Sequence, residues 1–206
     1  MANRPVYLLI DVSEKMRGEP FEATQTALDT IAASLKTVVA SLDISLCVIT
    51  FASSTPPKVL RPLSAWSSND TMPELTCLNE PAKVDSGLEC LLQNYSNDIS
   101  KHEGSPLLIF ITSGDVPSQK LQDDLKQCGF GRIWVIYHQL SLLDKGRVRP
   151  LDEFYRLLTF DHKQFGELSS NDFAGFWDDT AVIDIDKVKR RGWDFKEDHR
   201  KATKEW

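Results

Sequence analysis

Most of the signatures that would announce a function at once are missing from this sequence. Cys47, Cys77, Cys90 and Cys128 form no Cys-x-x-Cys pair and stand at no metal-knuckle spacing from any histidine. That excludes a zinc ribbon or a disulfide framework and leads us to expect a reducing, cytoplasmic setting. The first apolar run, residues 6–10, falls short of the ~7 to 15 apolar residues of a secretory signal, and no run approaches the ~20 that span a bilayer. Gly-x-Gly-x-x-Gly, Gly-Lys-Ser/Thr and Gly-x-Ser-x-Gly are all absent, and with them a phosphate cradle and a hydrolase elbow. Ser13 as a nucleophile needs a base, and His102, His138, His162 and His199 have no spacing that supplies one. Adjacent acids such as Asp123 and Asp124 point in different directions on a helix and read as a solvated face. No enzyme is expected.

What is present is an ordinary globular composition. The chain has 206 residues, 41% hydrophobic and 26% charged, enough for one α/β domain with a short appendage. Its net charge of −6 argues against a chain-wide nucleic-acid binder, which needs concentrated Lys and Arg. The charge is unevenly placed. Residues 1–186 hold 16 basic and 26 acidic side chains, whereas 187–206 hold 8 basic and 4 acidic ones. We therefore divide the chain into a domain over 1–186 and a basic aromatic tail over 187–206.

Along the domain, strand-like and helix-like patterns alternate. Residues 6–10 are apolar at every position and end at Asp11, as a strand buried on both faces would. Phe21, Leu28, Ile31, Leu35, Val38, Val39 and Leu42 follow at helical spacing, with Pro20 in the first turn. Residues 46–51 and 107–111 read as further buried strands, 133–137 as another, and 58–60 as a short edge strand. Leu88, Leu91, Leu92, Tyr95 and Ile99 mark a second helix, and Leu121, Leu125 and Cys128 a third. Leu151, Phe154, Tyr155 and Leu158 give a helical stripe, and Ser169 or Ser170 caps a last helix bearing Phe173, Phe176 and Trp177. Residues 52–85 hold five of the ten prolines and read as mostly loop. The expected fold is α/β: a doubly wound, mostly parallel six-stranded sheet with helices on both faces and one short antiparallel edge strand. Cys47 and Cys128 sit among apolar residues and read as small core hydrophobes.

In such sheets ligands bind beyond the carboxyl ends of the strands, where the winding reverses. Asp11, Ser13 and Lys15 would there face Ser113 and Asp115, with Asp85 and Ser86 closing a third side. These residues resemble the landmarks of the von Willebrand factor A domains, most closely the tellurite-resistance TerY-like proteins. The runs Pro5-Val6-Tyr7-Leu8-Leu9-Ile10-Asp11-Val12-Ser13, Met16-Arg17-Gly18-Glu19-Pro20, Val48-Ile49-Thr50-Phe51 and Thr112-Ser113-Gly114 occur in the family's order, and the resemblance covers about residues 4 to 186.

The resemblance implies a Rossmann-like fold and a metal-ion-dependent adhesion site, in which an Asp-x-Ser-x-Ser loop, a Thr and a second Asp hold Mg²⁺ or Mn²⁺. Asp11 and Ser13 match that motif, but Lys15 replaces the second Ser, Ser113 replaces the second Asp, and no Thr occurs between Thr76 and Thr112. Asp115 is a candidate replacement carboxylate. A divalent ion about 4 Å from an ammonium is repelled by roughly 8 kcal/mol at an effective dielectric near 20. We therefore expect a degenerate site with vestigial Asp11 and Ser13, no cofactor, and Lys15 neutralising Asp11. A working Mg or Mn site is the alternative, and an enzyme on a related sheet a further one.

By the same resemblance, the chain is expected to be a non-catalytic adaptor in a bacterial stress, tellurite-resistance or phage-defence system, alongside a protein kinase and a phosphatase. Trp66 in the long loop, and Lys189, Arg190, Arg191, Trp193 and Trp206 in the tail, are partner-docking candidates. The tail either packs on its own acidic domain, binds a protein, or stacks on nucleic acid. No membrane contact is expected.

Overall fold

The structure, a computed structural model, describes residues 3–38, 43–102, 106–112, 117–130, 132–138 and 155–160. Strand β1 (Asn3–Asp11) is buried from Pro5 through Asp11, and its side chains alternate between two cores as strand geometry requires. Val6, Leu8 and Ile10 face helix α1 (Glu19–Val38), whose Ala27, Leu28, Ile31 and Leu35 fill the space above them. Tyr7 and Leu9 face the opposite side, against helix α2 (Val84–Lys101) and helix α3 (Gln119–Gln127), through Leu88, Leu91, Leu121 and Leu125. Each fully buried Leu or Ile here contributes roughly 1.5–3 kcal/mol relative to exposure. Two faces covered by helices explain why the strand is apolar throughout instead of alternating.

Strand β2 (Asp43–Phe51) and strand β4 (Leu107–Thr112) flank β1 in parallel, pairing Val6 with both Leu46 and Leu107. Strand β3 (Lys58–Ala65) pairs antiparallel with β2. It runs five residues past the expected 58–60, because Pro62 is tolerated where one side of the strand lacks a described neighbour. These four strands form a mixed sheet in the order β3-β2-β1-β4, and strand β5 (Arg132–His138) and strand β6 (Tyr155–Phe160) continue it in parallel beyond β4. The helical stripe expected through Tyr155 and Leu158 is therefore a strand over that stretch. Spacings of three and four residues arose there by chance in a short β-forming run, and pairing with β5 decides the conformation. The capped helix expected after residue 169 lies outside the described residues, as do the junction at 186 and the tail.

Chain direction places the site. From β1 the chain crosses over through α1 to β2 on one side, and it later returns through α2 to β4 on the other. The winding therefore reverses between β1 and β4, and the crevice lies beyond Asp11 and Thr112. Helix α2 approaches this end closely. A Cβ built on Gly87 would lie 2.7 Å from Cγ and Cδ1 of Phe51, so only glycine lets the first turns of α2 rest on the end of β2. At the entry to α1, Gly18 has φ +81°, a left-handed conformation that side chains disfavour.

Candidate functional site

Asp11 ends β1 fully buried, and its carboxylate is committed to the chain itself. Oδ1 accepts the backbone N–H of Ser13 at 2.9 Å, and Oδ2 accepts the hydroxyl of Thr112, the last residue of β4, at 3.2 Å. The first bond is the local Asx geometry that Asp adopts two residues before a turn. The second joins two neighbouring strands across the switch point. Ser13 is also fully buried, and its Oγ has no hydrogen-bond partner among the described residues.

Lys15 belongs to the 3₁₀ turn Glu14–Met16, is exposed, and forms no ion pair with Asp11. The expected neutralisation of Asp11 by Lys15 is thus corrected. Met16, fully buried in the core on the α1 face, anchors the turn while Lys15 beside it stays in solvent. Donors inside the fold take the role assigned to the ammonium.

Asp85 and Ser86, expected to close the crevice, are spent elsewhere. Asp85 Oδ1 accepts the backbone N–H of Ser118 at 2.9 Å, so it caps α3, whose own N-cap Ser118 makes no side-chain cap bond. The Ser86 hydroxyl reaches the carbonyls of Lys83 at 2.7 Å and Ala52 at 3.2 Å, tying α2 to the end of β2. Ser113 and Asp115 lie outside the described residues, as do Lys189, Arg190, Arg191, Trp193 and Trp206. Trp66 is only 3% exposed and belongs to the core on the α1 face, so it offers no docking surface. Its backbone N–H bonds Ile44, and the Arg61 guanidinium, itself paired with Asp70 at 3.0 Å, lies 5.1 Å from its ring centre.

The long loop has a contribution that its sequence did not announce. Leu75 is buried and Met72 and Leu78 are half-buried against the same core, and the segment around Leu78 lies beside the loop after β1. Leu78 N–H bonds Val12 O at 2.7 Å, and Glu14 N–H bonds Glu80 O at 2.7 Å. The Glu80 carboxylate accepts the backbone N–H groups of Ser54 and Thr55, both at 2.9 Å, and the Thr55 hydroxyl. The Thr55 hydroxyl and backbone N–H, joined by the Ser54 N–H, hold its carboxyl below the usual range. Nothing in the spacing of Glu80 foretold this, because its partners lie 25 and 26 residues away.

The described donors do not by themselves make up a divalent site of the kind the adhesion-site motif implies, and Ser113 and Asp115 lie outside the described residues. Mg²⁺ requires near-octahedral oxygen coordination and is usually bound through one or two carboxylates and several waters. Both oxygens of Asp11 already accept hydrogen bonds from the chain, and Asp85 and Ser86 are engaged with α3 and β2. Among the described residues no group of three or more His, Cys, Asp or Glu side chains converges. No helix among them is long and apolar enough to cross a membrane.

Compared with known proteins, residues 6–137 match the model of the von Willebrand factor type A domain. No curated protein matches the chain. Among solved structures, proximal thread matrix protein 1 from the mussel byssus superposes with a TM-score of 0.56 at 12% identity, over 84% of this chain and 45% of that one. A von Willebrand factor type A protein from Catenulispora acidiphila gives 0.56 at 12% identity, over 85% and 43%. The ArnB paralog VWA2 from Sulfolobus acidocaldarius gives 0.51 at 12%, over 84% and 45%. The mussel protein is also known with a zinc-occupied MIDAS motif, superposing at 0.51 with 15% identity over 89% and 48%. The chain thus spans less than half the length of each of these structures.

Proposed function

Since the chain belongs to the von Willebrand factor type A domain family, we propose that it is a non-catalytic protein-interaction module that engages its partner without a bridging divalent ion. The observation that carries this reading is the commitment of Asp11, with Ser13 N–H and the Thr112 hydroxyl already on its two oxygens. A carboxylate held in this way stiffens the end of the sheet and leaves recognition to the shape and charge of the rim. Exposed Lys15 and Arg17 on the turn after β1 are available to a partner there. The finer setting is a cytoplasmic adaptor in a bacterial stress, tellurite-resistance or phage-defence system, beside a kinase and a phosphatase. It is supported by the resemblance of the Asp11 to Ser13 and Met16 to Pro20 runs to TerY-like proteins.

A second reading, Mg- or Mn-dependent ligand binding, has one observation in its favour, the buried Ser13 Oγ, unpartnered among the described residues. Calorimetric titration of Mg²⁺ and Mn²⁺ into chelator-treated protein separates the two. We expect no saturable heat, and micromolar affinity would overturn the metal-free reading. Affinity capture from the native host with the parent, Lys15→Ser and a chain lacking 187–206 tests the partner. The parent is expected to retain a protein that the tail-less chain or Lys15→Ser loses, and retention by the parent and both variants would remove both the tail and Lys15 from the interface.

A further inference from the structure

We propose that Glu80 is a positioning residue for the crevice rim, the point at which the loops following β1 and β2 are fastened to each other. Residues 77–80 run alongside the loop after β1. Leu78 N–H bonds Val12 O, the Cys77 thiol points to Ser13 O at 3.5 Å, Arg17 donates to the Asn79 side chain at 3.1 Å, and Glu14 N–H bonds Glu80 O. The backbone of this segment therefore holds the loop that contains Ser13. The Glu80 side chain reaches the other way, to the turn after β2, where two successive backbone N–H groups converge on one carboxylate oxygen and a hydroxyl meets the other. Consecutive N–H groups on one anion form a concave cradle whose geometry fixes the anion as much as the anion fixes the loop. Charge-assisted bonds of this kind are stronger than the neutral contacts of ordinary loops. One residue thus joins the two loops through its carbonyl and its carboxylate, next to the backbone bond from Val12 N–H to Phe51 O at 3.0 Å that links the ends of β1 and β2.

The consequence is that removing the Glu80 side chain should disturb a bond it does not make. Glu14 N–H is bonded to the main-chain carbonyl of Glu80, which every substitution keeps. If the carboxylate positions that carbonyl, its loss loosens the Glu14 bond as well. This rests on the rim being the binding face, but the measurement reads the loops alone, so its failure and the failure of that reading are distinguishable.

Amide hydrogen exchange by NMR on the full chain, for Glu80→Ala and Glu80→Gln beside the parent, tests it. In Glu80→Ala we expect exchange at Ser54, Thr55 and Glu14 to speed up several-fold, with Leu8 and Ile109 in β1 and β4 unchanged. Glu80→Gln, which keeps an acceptor oxygen at the same reach, is expected to restore most of the protection at Glu14. Unchanged protection of Glu14 in Glu80→Ala would overturn the proposal, since the carboxylate would then hold only the β2 turn. An equal loss of protection at Leu8 and Ile109 would overturn it too, by showing a general contribution to stability. So would Glu80→Gln behaving like Glu80→Ala, because an acceptor at that reach would then not position the loop.

Discussion

Replacing Asp11 distinguishes a structural tie from a metal anchor, because the two roles respond differently to Asn and Ala. Asp11→Ala strips the acceptors from Ser13 N–H and the Thr112 hydroxyl at a fully buried position. Each buried donor left unsatisfied costs about 1–3 kcal/mol, and relief from desolvating a carboxylate offsets part of the total. The net loss should be about 2 kcal/mol. In a chain of this length that lowers the melting temperature by roughly 4–8 °C. Asp11→Asn keeps the size and one carbonyl oxygen, which can still accept the Ser13 N–H, while the Thr112 hydroxyl can turn to accept from the new amide. Its cost should be about 1 kcal/mol or less. Thermal unfolding by circular dichroism, with chelator and with millimolar Mg²⁺, gives both answers. We expect the order parent, Asn, Ala, unaffected by Mg²⁺. A parent melt raised by Mg²⁺, with the rise abolished in both variants, would refute the structural account. So would Asn falling as far as Ala, since hydrogen bonding would then not be what Asp11 contributes.

Three further substitutions or measurements probe the core around this site. Gly87→Ala gains about 1 kcal/mol of helix propensity but forces a Cβ to 2.7 Å from the buried Phe51 ring, which is itself 5.8 Å from the Phe110 ring, and overpacking costs about 1–3 kcal/mol. A net destabilisation is expected in urea titration, and a more stable variant would show that α2 can shift off β2. Tyr7 is fully buried between Tyr95 and Phe130 and its hydroxyl has no partner among the described residues, so Tyr7→Phe should stabilise by about 1 kcal/mol, and a lower urea midpoint would reveal a partner for the hydroxyl. Burial pushes the Cys47 thiol up to about 11 and also raises Cys90 and Cys128, so at pH 8 the Cys47 thiol stays protonated. Reaction of Cys47 with a disulfide reagent should be negligible in the folded state at pH 8 and complete in denaturant, with mass spectrometry assigning the site. Fast native labelling of Cys47 would contradict its place in the core.

Why the fold could be read and much of the site could not comes down to the range of the interactions involved. Residues 6–10, 46–51 and 107–111 are apolar because both faces of the sheet are covered, and that demand acts on every position of the run, so it is written locally. The α1 and α2 stripes are local for the same reason. Where the local pattern misled, at Tyr155 and Leu158, six residues were too few to separate a three-and-four spacing from chance, and a neighbouring strand decided the matter. The long loop misled in the opposite sense. Its prolines and polar residues suggested free surface, yet Trp66 and Leu75 are core residues whose burial depends on contacts with α1 and β2 that no window of the loop contains.

The site is harder to read because identical residue types serve opposite ends. Asp11, Asp85 and Ser86 are residue types that can donate oxygen to a ligand. What decides their use is which unsatisfied N–H, hydroxyl or carbonyl groups the fold brings within reach. Asp85 meets the open end of α3 across 33 residues, and Asp11 meets Thr112 across 101. An internal group that holds an oxygen fixes the orientation of the carboxylate, so a cation would have to approach along the lone pairs left over. The departures at Lys15 and Ser113 are therefore consistent with what the geometry shows at Asp11. On the metal-free reading proposed above, the role of Asp11 is to hold two strands together through Ser13 N–H and the Thr112 hydroxyl.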